Sequence, residues 1–505
     1  MISKIYSIAL VGIDGQLVEV EVDIKLGLQA FNIVGLAGKA VQEAKDRVAA
    51  AIRNSGFQMP TQRITVNLAP ANLIKNETSY DLPIAVGILL CSGQLQGDLD
   101  SSVFWGELSL DGDTRGCNGA LIIADSSKKF NFKHIFLPKF NALEAGITAG
   151  IEVHPVKNLS EIVDYFQKKI DLKYVASLDK ADEIRYEENY DFKLIKGQLI
   201  AKRILEIAAS GGHNVLFSGP PGSGKTLLAR SVLNILPPLS YQERVEVTKI
   251  HSISGLLAGN DLIKLRPFRN PHHTISYAAM VGGGTIPRPG EISLASRGVL
   301  FLDEFNEFGP RTLEALRQPL EDRIVNISRA SGMMTFPANF ILITAMNPCK
   351  CGFLGDVEKP CSCSSMDLDK YRKRISGPIL DRIDLQLNVM RVTKSEFSNH
   401  QQLEASEEVR KRVVSARDFQ LSRLNKSQIT NIFFNAELTN NALRKTLNLS
   451  KKASETINNA VDILHLSARG YFRILKVART IADLDQSEIV KQMHLEEAIS
   501  YRNSS

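Results

Sequence analysis

Short runs of alternating hydrophobic and polar residues mark the first third of the chain. VEVEVDI, ITVNLAP and HIFLP repeat with a period of two, which predicts strands. Among them AVQEAKDRVAAAIRNSG changes period. Val41, Ala44, Val48, Ala51 and Ile52 recur at helical spacing, and Gly56 stands where the helix should stop. Residues 1–170 are therefore expected to form an α+β domain. Residues 171–192, DLKYVASLDKADEIRYEENYDF, are charged and show no clear period, as expected of a linker. From 193 to 395 strand, turn and helix alternate, the pattern of an α/β domain built on a mostly parallel sheet. From 396 to 505 the pattern is helical: Ile457, Val461 and Leu464 share one face, and Ile474, Ala478 and Ile481 another. No fixed-period repeat or low-complexity segment interrupts this multidomain plan.

Composition narrows the class. At 505 residues and 44% hydrophobic, the chain can build several cores. No apolar run approaches the roughly 18 residues that cross a membrane. The opening MISKIYSIALVGIDG lacks the long apolar stretch of a secretory leader, so a soluble cytoplasmic protein with no membrane partner is expected. Charge is uneven: residues 1–170 carry 16 Lys and Arg against 18 Asp and Glu, whereas 201–505 carry 40 against 30. That excess permits a polyanionic partner without requiring one.

The sharpest chemistry lies in VLFSGPPGSGKTLLAR, where a strand meets a helix through Gly219, Pro220, Pro221, Gly222, Ser223, Gly224, Lys225 and Thr226. The three glycines let backbone amides turn toward phosphate oxygens. Lys225 reaches the β- and γ-phosphates, and the Thr226 hydroxyl ligates Mg2+. About 80 residues later GVLFLDEF ends a second strand in Asp303, placed to hold Mg2+, and Glu304, placed to orient or deprotonate water. A third strand, FILITAMNP, ends in Asn347 at the edge where a polar amide can face a ligand.

Together GPPGSGKT, FLDE, TAMNP and SGPILDRIDL resemble the AAA+ ATPases of the magnesium-chelatase-like branch. The longer strings FRNPHHTIS, PGEISLASRGVLFLDEF and SARGYFRILKVARTIADL resemble the ComM/YifB family, over nearly the whole chain. The resemblance implies a homohexameric ATPase ring using ATP and Mg2+. It implies a helical lid at 396–505 and sites completed by the neighbouring subunit. It makes Arg382 in LDRID the arginine finger acting in trans and Arg469 the sensor arginine acting in cis, with Arg473 its rival. Surface or lid salt bridges are the alternative for these arginines. The family's activity would be a DNA helicase promoting branch migration as incoming DNA recombines during natural transformation, with recombination proteins as further partners.

The N-terminal domain resembles the protease domain of Lon through GELSLDGDTRGCNGAL and ETSYDLPIAVGIL. The serine of that dyad falls on Asp81 and the lysine on Leu121, and Ser79 has no lysine partner in the pattern. Without a base a serine hydroxyl is a poor nucleophile, so a degenerate, non-peptidase module is expected.

Cys349, Cys351, Cys361 and Cys363 make two C-x-C arms beside Asn347, a spacing that can converge on a structural Zn2+. A redox dithiol and four unrelated thiols are the alternatives. Two other functions stay open. One is a magnesium-chelatase motor subunit, disfavoured on the expectation that such a subunit lacks the N-terminal module. The other is a protein-remodelling ATPase without nucleic acid. For a DNA motor, single-stranded or branched DNA is expected in the ring pore. Residues 245–297 carry Lys264, Arg266, Arg269 and Arg288 with Phe268 and Tyr277, a mix suited to phosphates and bases. Arg329, in the hairpin before the third strand, is a further candidate; the alternative is that His272 and His273 brace the nucleotide site and the cations are only solvated.

Overall fold

The computed structural model describes residues 2–502 apart from 76, 176–185, 258–261, 285–286, 330–331, 357, 394–402 and 430–431. The alternating runs of the N-terminal part assemble into a seven-stranded mixed sheet. Its order is Ala30–Val34, Arg63–Ala69, Asp14–Lys25, Ile2–Val11, Ser102–Phe104, His134–Pro138 and Glu152–Val156. The last three strands run parallel to Ile2–Val11. Helix Lys39–Asn54 buries the five apolar positions named above, and Gly56 follows it with φ +85°. Helix Asp81–Cys91 (DLPIAVGILLC) is buried along nearly all its length, so its sequence has no polar face and no legible period.

The stretch expected as a linker is anchored at both ends. Val175 bridges to Val153, and Phe192 is buried in the core of the following domain. Residues 176–185 lie outside the described residues.

The second sheet has five parallel strands in the order Phe268–Arg269, Val299–Leu302, Ile341–Met346, Val215–Ser218 and Leu385–Asn388. Three of these strands are the uninterrupted apolar runs read above, as sheets covered on both faces require. The helices Ser406–Lys426, Lys451–Leu464, Ala468–Leu484 and Gln492–Ser500 close the C-terminal part. Ile457, Ile474, Ala478 and Ile481 enter the same core as the sheet, whereas Val461 and Leu464 are half-buried. No described helix is long and apolar enough to cross a membrane.

The two halves touch. Lys249 Nζ lies 2.5 Å from Asp125 Oδ2, and the Ser252 hydroxyl donates to Glu144 at 2.5 Å. Beside them Leu121 and Ile147 pack on Leu262 and Val245.

Candidate functional site

The phosphate loop leaves Val215–Ser218 and enters helix Lys225–Ile235. Gly222 and Gly224 have φ +79° and +87°, and open space surrounds the place of a Cβ. They serve the backbone turn itself. Gly219 serves a different need, since a Cβ there would lie 2.2 Å from the Val389 carbonyl oxygen. Lys225 Nζ donates to the carbonyls of Gly219 (2.7 Å) and Pro220 (2.9 Å), and burial lowers its pKa from the usual lysine value.

At the same sheet edge the Thr226 hydroxyl donates to Asp303 Oδ2 at 2.9 Å, so the two expected Mg2+ ligands are already adjacent. Glu304 has a left-handed backbone (φ +52°), uncommon for a non-glycine residue and typical of functional edges. Its carboxylate meets His273 Nδ1 at 2.8 Å. A cavity of about 710 Å³ gathers the loop, Asp303, Glu304, Asn347 and the segment Asn270–His273. Asn270 and Pro271 were not singled out by sequence reasoning. Their only signal was the string FRNPHHTIS, in which chemistry was assigned to Phe268, Arg269, His272 and His273 but not to these two positions.

Arg382 and Arg469 do not line this cavity. Both reach Glu321 Oε1, at 2.7 and 3.4 Å. Arg382 also donates to the Pro378 carbonyl at 2.7 Å. Arg469, expected to act in cis, thus lies beside Arg382 at Glu321 and not at its own chain's phosphate-loop cavity. The rival Arg473 is consumed elsewhere, bonded to Asp384 and to the Arg382 carbonyl. Arg473 and His213 hold the Asp384 carboxyl well below the usual range despite its burial.

The grip expected of Arg266 and Arg269 is corrected. Arg266 is buried, donating to the carbonyls of Pro237 (2.7 Å) and Arg297 (2.6 Å) and pairing with Glu243 at 3.1 Å. Arg269 pairs with Glu291 at 2.6 Å. Phe268 stacks on Phe301 in the sheet, 5.8 Å between ring centres. Arg288 and Tyr277 are exposed. The side chain of Arg329 lies outside the described residues.

The four loop thiols converge. The sulfurs of Cys349, Cys351 and Cys361 lie 3.3, 3.7 and 3.5 Å apart, and Cys363 completes a set within 4.8 Å. A tetrahedral Zn2+ with bonds of about 2.3 Å spaces its sulfurs by about 3.8 Å, so the cluster fits the ion closely. Backbone amides of Phe353 and Ser362 pull the Cys351 thiol down to about 5. Gly352 (φ +84°) brings this loop against the phosphate loop, where a Cβ would meet Pro221 Cδ at 2.9 Å.

In the N-terminal half Asp81 is fully buried and takes two bonds from Arg47, at 2.8 and 3.0 Å. Leu121 is buried where the halves meet.

Three family models match the chain. One described as "Magnesium chelatase, subunit ChlI" covers residues 191–397. "Subunit ChlI of Mg-chelatase" covers 20–141, and "Magnesium chelatase, subunit ChlI C-terminal" covers 403–502. The second of these removes the expectation that a chelatase subunit lacks the N-terminal module. The chain is 41% identical over 505 residues to the "Competence protein ComM" of Haemophilus influenzae, covering 99% of this chain and 97% of the relative. It is 41% identical over 504 residues to the "Uncharacterized protein YifB" of Escherichia coli, with the same coverage. The Salmonella typhimurium protein of that name is 40% identical over 501 residues, 99% and 96% of the two chains. A strand–glycine loop–helix edge carrying Lys225, Thr226 and Asp303, matched along nearly its full length, places the chain in the ComM/YifB family of magnesium-chelatase-like AAA+ proteins.

Proposed function

We propose that the chain is the subunit of an ATP-driven homohexameric ring that acts on single-stranded or branched DNA. Its work would be branch migration when incoming DNA recombines in natural transformation, in the cytoplasm and beside recombination proteins. One observation carries this reading. Lys225, the Thr226–Asp303 pair and the His273-held Glu304 converge at the C-terminal edge of a parallel sheet, in a chain 41% identical to a competence protein. The loop amides and Lys225 would take the ATP phosphates. Thr226 and Asp303 would hold Mg2+, which offsets phosphate charge. Glu304 would orient or deprotonate the attacking water, and Asn347 would position it. Arg382 and Arg469, joined on Glu321, would serve the neighbour's γ-phosphate, leaving Glu321 to do so.

The N-terminal half is read as a Lon-like fold without peptidase chemistry that organises the ring. Asp81 is committed to Arg47, and Leu121 to the contact between halves. The cysteine loop is read as a zinc staple beside Pro221, since four free thiols at zinc spacing brace a polar loop with little core. Metal analysis is expected to give about one zinc in this loop. Cys349→Ser with Cys361→Ser should release it and lower the melting temperature.

A chelatase-type motor is the second reading, favoured by the family descriptions over 20–141 and 191–397. Binding to single-stranded DNA across a salt series, with and without a nonhydrolysable ATP analogue, separates the two. Nucleotide-dependent binding that falls steeply with salt is the expected result. ATP turnover with no DNA affinity at low salt would favour the chelatase-type motor.

A further inference from the structure

A second cluster of ligand-type side chains lies in the N-terminal half, far in sequence from the cysteines. Strands His134–Pro138 and Glu152–Val156 run parallel with His134 opposite Glu152 and Phe136 opposite His154. Side chains two apart along a strand share a face, so this register sets His134, Glu152 and His154 on one face. Their atoms converge. His134 Nδ1 lies 3.2 Å from His154 Nε2 and 3.0 Å from Glu152 Oε2, and His154 Nε2 lies 3.8 Å from the same oxygen.

Hydrogen bonding alone leaves this triangle short of protons. His154 Nδ1 lies 3.1 Å from the Leu172 carbonyl, which can only accept, so that nitrogen donates. In the neutral ring Nε2 then presents a lone pair. Glu152 also presents lone pairs. Only one hydrogen, on His134 Nδ1, is available between two acceptors. A cation at the centre satisfies all three. The edges of a tetrahedron with metal–ligand bonds of about 2.0–2.1 Å are about 3.3–3.4 Å, in the middle of the three measured separations.

The site is also built in its surroundings. The His154 ring is buried and stacks on Phe136, 4.7 Å between ring centres and 13° from parallel, with Tyr165 at 5.3 Å. A ligating histidine held by a carbonyl on its far nitrogen is the usual arrangement that fixes tautomer and ring direction. His134 and Glu152 reach solvent, which leaves a fourth position for water or an outside donor.

We propose that His134, Glu152 and His154 form a second metal site, selecting a borderline divalent cation of the Zn2+ type. It is independent of the nucleotide site and of the cysteine loop. The two histidines and one carboxylate match zinc and disfavour Mg2+ or Ca2+, which take oxygen ligands. The ion would tie the last two strands of the sheet to Leu172, just before Val175 returns to pair with Val153 and the chain leaves this half.

The test uses the full chain carrying Cys349→Ser and Cys361→Ser, stripped with a chelator and titrated with Zn2+ against a chromophoric competitor. One zinc per chain is expected, with a rise in melting temperature on binding. Co2+ in its place should give visible ligand-field bands without the thiolate charge-transfer band that a cysteine site produces. His134→Gln and Glu152→Gln change solvent-reached side chains and should fold, which circular dichroism checks. Each should weaken zinc at least about tenfold. If the cysteine changes prevent folding, the metal content of the otherwise wild-type chain should fall by one ion in His134→Gln. No zinc binding at millimolar metal, or wild-type affinity in both single variants, would overturn the site.

Discussion

Asp81 and Glu304 each meet a basic side chain at 2.8 Å, with opposite consequences. Asp81 opens a helix buried nearly all round, is 0% exposed, and is held by the two-pronged guanidinium of Arg47. Burial still outweighs that partner, pushing its carboxyl up to about 6. Glu304 is 56% exposed, sits on a left-handed turn at a sheet edge, and lines a cavity beside its partner His273. The first pair is spent on holding the fold. The second is turned toward space where a substrate can lie. A charged residue is a candidate for chemistry when its partner leaves it an open side.

The strongest test of that contrast is at the open edge. Lys225→Ala should lose tight ATP binding, because it removes the cation facing the phosphates. Glu304→Gln should bind ATP and turn it over about 10²–10⁴-fold more slowly, keeping shape and losing the base. Asp81→Asn should lower the melting temperature and leave turnover intact. Equilibrium nucleotide binding, phosphate release and thermal melts read the three outcomes. Equal ATP affinity in wild type and Lys225→Ala would erase the distinction between the regions.

How legible each region was follows from how local its physics is. The phosphate loop could be read because spacing alone dictates its backbone, and Thr226 meets Asp303 at one edge of the parallel sheet, across the strand Ile341–Met346 that lies between theirs. Helix Lys39–Asn54 could be read because one face is wet. Asp81–Cys91 could not, because a helix buried on all sides carries no period. Arg266 looked like a loop cation, but its partner Glu243 lies 23 residues away and only the fold brings them together. Arg469 and Arg473 are one helical turn apart, and only Glu321 and Asp384, from distant segments, assign them to different partners. His134 and His154 were invisible for the same reason, since strand register, not sequence spacing, makes them neighbours.

Next in size is the pair of arginines on Glu321. Arg382→Ala should keep ATP binding and lose hydrolysis about 10³-fold, because a finger acts on transition-state charge. Arg469→Ala should behave alike if it also serves the neighbour. Mixing either with Lys225→Ala protein should restore part of the turnover in verified mixed rings, since some interfaces are then intact. Recovery with Arg382→Ala but not with Arg469→Ala would return Arg469 to its own chain's site.

A smaller contrast separates a consumed cation from an exposed one within 245–297. Arg266→Met should cost about 3 kcal/mol, leaving Glu243 and three carbonyls without their buried donor. Arg288→Ala should change stability by no more than about 0.5 kcal/mol. It should instead weaken DNA binding for all sequences alike and reduce the salt slope by about 1. Chemical denaturation and salt-dependent DNA binding distinguish them. Unchanged DNA affinity in Arg288→Ala, with rings assembled, would move the DNA path to another surface.

The smallest effect lies with Glu77, close to Asp81 in the closed region. Burial pushes its carboxyl up to about 7, against the opposing hydrogen bond from the Ser79 hydroxyl at 3.3 Å. The folded chain therefore keeps a proton that the unfolded chain releases near the ordinary value of about 4.3. Its contribution to stability is complete below that ordinary value and is lost as pH rises through about 7. Glu77→Gln fixes the neutral form and should remove that loss. The variant should gain on wild type as pH rises from about 5 to about 8, reaching about 1 kcal/mol because solvent reaches part of the side chain. ATP turnover should not change, since Glu77 does not line the nucleotide cavity. Melting curves of the full chain over that range measure the difference. A gap between variant and wild type that stays constant with pH would mean that Glu77 ionises in the folded chain as it does in water, and the closed region would be more open than its burial implies.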